Sequence, residues 1–163
     1  MACVKYIILV LCIMFCQCAY YSFSGSLAPH LDTVAVPLFT NQTAEFGVTE
    51  QLTDAIINEF TRDNTLKIAD PSTADLLIEG EIVRINEQAG AFDRQETVAD
   101  YKVYITVNIV CHDQVKKQVF WEQRLTQWGI YEPTGGIEAR EEGISEAIDK
   151  LSEEILNKTV AGW

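Results

Sequence analysis

Few residue types in this chain could carry chemistry: two histidines, His30 and His112, five cysteines, and one pair of carboxylates at alternate positions, Glu79 and Glu81. The histidines lie far apart, and no Cys or His cluster stands at metal-ligand spacing, so no metal site is expected. Cys111 and His112 are adjacent, but neighbours on a strand point to opposite faces and cannot pair as nucleophile and base. Paired carboxylates can cleave glycosides, yet Glu79 and Glu81 alternate with Leu and Ile, the pattern of a strand with one wet face. Gly135-Gly136 lacks the Lys and Ser or Thr of a phosphate loop and reads as a connection. The residues predict a protein without catalytic activity and without a cofactor.

Four of the cysteines, Cys3, Cys12, Cys16 and Cys18, gather at the N-terminus around an apolar run over 6–15 that follows Lys5. A helix needs about twenty apolar residues to cross a bilayer, so this run is too short to span one and has the form of an export signal. The reading is a lipoprotein signal peptide over 1–17, a lipidated tether over 18–30 beginning at an acylated Cys18, and a single periplasmic domain over 31–163. Gln17 stands where such signals usually carry a small residue, but Cys16, preceded by Phe15, fits no better. The aromatic and serine residues after Cys18 favour Cys18. Cys111 is then a lone thiol and is expected in the core.

Without the signal, eleven basic residues face twenty-four acidic ones, a net charge of −13. The basic residues are scattered, the tightest group being Lys116 and Lys117, which argues against nucleic acid. A chain of this size buries roughly 68% of the surface it exposes when unfolded, enough for a core without staples.

Hydrophobic periodicity supplies the elements that must position these residues. A strand is expected over 31–39, broken by Asn41-Gln42-Thr43, whose side chains could cap the helix that follows over 45–62. Val48, Leu52, Ala55, Ile56 and Phe60 form that helix's apolar stripe. A strand over 74–87 buries Leu76, Ile78, Gly80 and Ile82, then changes phase at Val83, which predicts a bulge, and a loop is expected around Gly90. In the strand over 98–112, Val103, Ile105, Val107, Ile109 and Cys111 share one face. A tight turn at 113–117 makes the strand over 118–128 its antiparallel neighbour. After an irregular stretch over 129–136, a helix over 137–160 turns Ile144, Ala147, Ile148, Leu151 and Ile155 inward. The expected fold is α+β, a two-layer sandwich in the order β-α-β-β-β-α, with a four-stranded mixed sheet and two helices packed on one face. Aromatic residues are common anchors at interfaces, which makes Trp128, Tyr131 and the loop around Phe92 the candidate partner contacts.

Three stretches carry a resemblance: Tyr21-Ser22-Phe23-Ser24-Gly25 after the lipidation cysteine, Val34-Ala35-Val36-Pro37-Leu38-Phe39-Thr40-Asn41, and the ending Asn157-Lys158-Thr159-Val160-Ala161-Gly162-Trp163. Together with the element order they resemble the LptE family of lipopolysaccharide-assembly lipoproteins, particularly its Bacteroidetes-type members. The resemblance implies a non-enzymatic subunit, anchored through Cys18 at the periplasmic face of the outer membrane, that plugs and supports the β-barrel LptD. It also implies contact with lipopolysaccharide, for which Lys116 and Lys117 are the candidates. The acidic balance gives long-range attraction to anionic lipid the wrong sign and favours the barrel as the first partner. A second reading, a periplasmic adaptor or secretion-channel lipoprotein of the curli-export kind, shares the β-α start and predicts rings of identical copies.

Overall fold

The structure, a computed structural model, describes residues 27–92 and 98–161, so the signal and Cys18 lie outside the described residues. Its strands are β1 (Thr33–Ala35), β2 (Thr40–Asn41), β3 (Lys67–Ile68), β4 (Leu76–Phe92), β5 (Val98–Asp113) and β6 (Gln118–Tyr131). The helices are α1 (Val48–Asp63) and α2 (Gly136–Val160), the latter preceded by a 3-10 turn at Pro133–Gly135.

The α+β class and the mixed sheet match expectation, but the sheet has six strands, not four. Its order is β3-β1-β4-β5-β6, with β2 also pairing to β4. β1 pairs in parallel with β3 and β4, whereas β4, β5 and β6 form an antiparallel meander. The extra strands come from segments too short to show a period. Pro37 cannot donate to a ladder, so the strand expected over 31–39 shortens to β1, and β2 forms beyond its expected end, where a break was predicted. Between them Phe39 turns inward over Gly80, where a Cβ would lie 2.2 Å from the ring. β3 exposes both its side chains and is held by main-chain pairing to β1.

Asn41 does not cap α1. It organises the preceding loop, accepting hydrogen bonds from Thr43 N–H and Oγ1 and donating to Glu45 C=O. The helix starts after Gly47, whose φ of 77° lies in the left-handed region. The predicted phase change in β4 is a register shift between Ile82 and Arg84. The loop expected around Gly90 is instead the continuation of β4, which pairs through to Phe92. β6 likewise runs three residues past the expected end, to Tyr131.

One continuous core joins the layers. Leu52, Ile56 and Phe60 of α1, Ile144, Leu151 and Ile155 of α2, and the inward residues of β4 and β5 bury together. The helix α2 comes closest to the sheet where glycines meet: a Cβ on Gly129 of β6 would lie 1.9 Å from the Gly143 carbonyl oxygen.

Candidate interaction site

The sequence-predicted contacts fall at opposite ends of the long β5–β6 hairpin. At about 3.4 Å per residue, the fourteen residues of β6 put those ends about 45 Å apart. Lys116 and Lys117 stand exposed at the turn, with Lys117 at a φ of 54°. Beneath them, the buried Asp113 Oδ1 accepts the Lys116 N–H at 2.8 Å, and its Oδ2 lies 2.9 Å from His30 Nε2. Burial pushes the Asp113 carboxyl up, but the bonds from His30 and Lys116 outweigh it and hold the carboxyl below its usual range. The His30 contact brings the start of the described domain to the lysine end. Nearby, Asp75 Oδ2 accepts from the N–H groups of Asp32 and Thr33 and from Thr33 Oγ1, tying β1 to the start of β4.

The aromatic candidates gather at the other end. Tyr101 pairs with Tyr131 across β5 and β6, and Phe92 pairs with Val98 at the tip of β4; the Phe92 side chain lies outside the described residues. Trp128 is half-buried between two cations, with Lys102 Nζ 4.2 Å and Lys150 Nζ 4.1 Å from its ring centroid. Tyr131 stacks on Tyr101 at 5.7 Å and donates its hydroxyl to Glu87 at 2.5 Å. Burial, then the Glu87 carboxylate, pushes the Tyr131 phenol up to about 12.

Sequence reasoning missed the centre of this end. Arg140 of α2 makes a two-pronged contact with Glu45, at 3.0 and 2.7 Å, and donates Nε to Glu87 at 2.6 Å. One guanidinium thus joins α2, the loop before α1, and β4. Its hydrogen bonds hold Glu45 below the ordinary carboxylate range, while Glu87 is lowered first by the Tyr131 hydroxyl and then by Arg140. Phe46, 96% exposed, follows Glu45, and Ile137, 72% exposed, lies one helical turn before Arg140. No short-range sequence signal could have exposed this network, because its members are 53 and 95 residues apart.

Cys111 and His112, neighbours in the chain, lie on opposite faces of β5. Cys111 faces the core, fully buried, and burial pushes its thiol up to about 12. His112 lies on the outer face, with Nε2 3.6 Å from Glu79. Glu81 accepts a hydrogen bond from Gln42 Nε2 at 2.7 Å. Among the described residues no group of His, Cys, Asp or Glu is arranged to hold a metal ion, and no helix is long and apolar enough to cross a membrane.

The long hairpin thus carries a contact network at one end and a lysine turn at the other. The family model of LptE, described as lipopolysaccharide-assembly, matches residues 31–159, which hold every strand and nearly all of both helices. The chain belongs to the LptE family. LptE is a non-enzymatic family, and its role in lipopolysaccharide assembly sets the functional class of this member. No curated protein matches the chain. Among solved structures, protein XCC0632 from Xanthomonas campestris is similar at a TM-score of 0.62 and 12% identity, over 84% of this chain and 91% of that one. The PelC dodecamer from Paraburkholderia phytofirmans gives a TM-score of 0.57 at 18% identity, over 83% and 92%. A putative lipoprotein from Caulobacter crescentus gives 0.52 at 15%, over 77% and 88%. At such identities the likeness is one of fold: this LptE domain shares its sheet-and-helix architecture with proteins of divergent sequence.

Proposed function

We propose that this chain is the lipoprotein subunit that plugs and supports an LptD-like β-barrel during lipopolysaccharide assembly. Acyl chains on Cys18 anchor it at the periplasmic face of the outer membrane. The family match over the whole folded domain carries this reading. The apolar run over 6–15 ahead of Cys18 supports the anchor. The bond between His30 and Asp113 supports an orientation in which the lipidated tether, Lys116 and Lys117 share the membrane-facing end. There the two lysines meet lipopolysaccharide phosphates as point charges, a local attraction that the acidic remainder of the domain does not cancel within a screening length of about 8 Å. Trp128 and Tyr131, at the opposite end, offer aromatic surface to the barrel's wall, with Phe92 as a further proposed contact.

The deciding experiment is affinity purification of the tagged, full-length chain from detergent-solubilised envelopes, combined with its depletion in cells. A β-barrel of the LptD kind is expected to co-purify, surface lipopolysaccharide to fall on depletion, and Cys18→Ser to leave the membrane fraction. Normal lipopolysaccharide delivery in depleted cells, with no barrel recovered, overturns the proposal. Recovery of rings of this chain alone would favour the secretion-channel reading instead.

A further inference from the structure

The two edges of the sheet are unequal: β3 has two residues, whereas β6 has fourteen and, among the described residues, no strand beyond it. In an antiparallel ladder each residue directs its N–H and C=O to the same side. The helix α2 reaches the outer side of β6 at two points, where Lys150 Nζ donates to Trp128 C=O at 2.9 Å and Ile130 N–H donates to Glu146 at 2.8 Å. Even-numbered residues here therefore face outward, and the pairing of β6 with β5 runs without a register shift from Trp121 to Tyr131. It follows that Glu122, Arg124 and Thr126 direct their main-chain groups away from the sheet. All three are exposed, and among the described residues nothing pairs with those groups. The edge is closed by α2 at one end and open over 120–126.

Charge selects the occupant of this open stretch. Glu122 and Arg124 flank Gln123, lie on the face opposite the buried Leu125, and among the described residues have no ion-pair partner. A two-fold axis at Gln123 sets two copies of β6 antiparallel, with Glu122 of each copy opposite Arg124 of the other. The outward main-chain groups then exchange hydrogen bonds, and two opposite-charge cross-strand pairs form. Moving the axis by one residue either way keeps the hydrogen bonding but sets Arg124 against Arg124, or Glu122 against Glu122. One register is thus favoured and its neighbours are opposed by like charge. A foreign strand must supply a matching charge pattern of its own; a second copy supplies it by symmetry. We propose that, before a barrel takes it up, a second copy of this chain docks antiparallel along the β6 edge, over 120–126, to form a two-fold dimer.

Full-length protein carrying Gln123→Cys, purified in detergent, tests the geometry. On the axis the two Gln123 positions form a non-hydrogen-bonded pair with Cα atoms about 4.5 Å apart, within disulfide reach; Cys111 is buried, and oxidising the parent chain in parallel accounts for the N-terminal cysteines. Mild oxidation is expected to give a disulfide-linked dimer, with much less from Thr126→Cys, which lies off the axis. Adding Arg124→Glu to Gln123→Cys is expected to lower the yield at least about tenfold, and adding Glu122→Arg as well to restore it. Hydrogen exchange on the unmodified chain is expected to show slowed amides at Glu122 and Arg124. Gln123→Cys remaining monomeric, a yield indifferent to Arg124→Glu, or cross-linked species larger than a dimer would each overturn the proposal. Protection of these amides only when a barrel co-purifies would assign the edge to a barrel strand and overturn it equally.

Discussion

Arg140 shows what single side chains contribute here. Its fork-shaped contact with Glu45 and its bond to Glu87 tie three elements together at a partly exposed site, where screening limits such a network to about 1 kcal/mol. Arg140→Met is expected to lower stability by that amount at neutral pH. Both carboxylates titrate below their ordinary value of 4.5 in the folded chain, so their contribution is complete above that value and is lost as pH falls through the depressed values. Thermal unfolding of the two proteins should therefore differ at pH 7, and the difference should shrink as the pH is taken down below 4.5. Cys111 makes the opposite case, a reactive residue type rendered inert. With its thiol buried and pushed up to about 12, an aromatic disulfide reagent should label it only after denaturant unfolds the chain. Burial of Cys111 was legible in the alternation of β5. The partners of Arg140 were not, because pairing between charges distant in the chain leaves no periodic trace.

The long elements were readable because each repeats its pattern over many residues. β5, α1 and α2 lie within three residues of their expected bounds, and the bulge in β4 follows from a phase change visible in the residue types. The failures were short segments, β2 and β3, and continuations set by a neighbour. β4 runs on through Gly90 because β5 offers it a ladder, a tertiary gain that outweighs the weak strand preference of glycine. Gly129 shows the same dependence. It sits in a strand because α2 crosses close against it, and no side chain fits between its Cα and the Gly143 carbonyl oxygen. Gly129→Ala should force β6 and α2 apart and destabilise by about 1–3 kcal/mol, read as a lower denaturation midpoint with an unchanged m-value.

Across the whole molecule, one core shared by both helices and the meander makes separate unfolding of either layer costly. Far-ultraviolet circular dichroism, which follows the helices, and fluorescence of Trp121 and Trp128 on β6 should report the same transition. Transitions that separate by more than experimental error would show that α2 detaches from the sheet before the sheet unfolds. The same rigidity gives the LptE domain its polarity. The β5–β6 hairpin holds the lysine turn and the aromatic end about 45 Å apart.

By itself the sequence determined the α+β class, the amphipathic faces of the long elements and the phase change in β4. All of these follow from residue type and local period, which act over a few neighbours. Tertiary structure alone decided that His30 meets Asp113, that Arg140 joins Glu45 to Glu87, that the sheet has six strands, and that α2 closes only half of the β6 edge. Each depends on the packing of segments remote in the chain. Such contacts are chosen by the shared core and the geometry of the ladders, and the residues that make them carry no local mark of their partners.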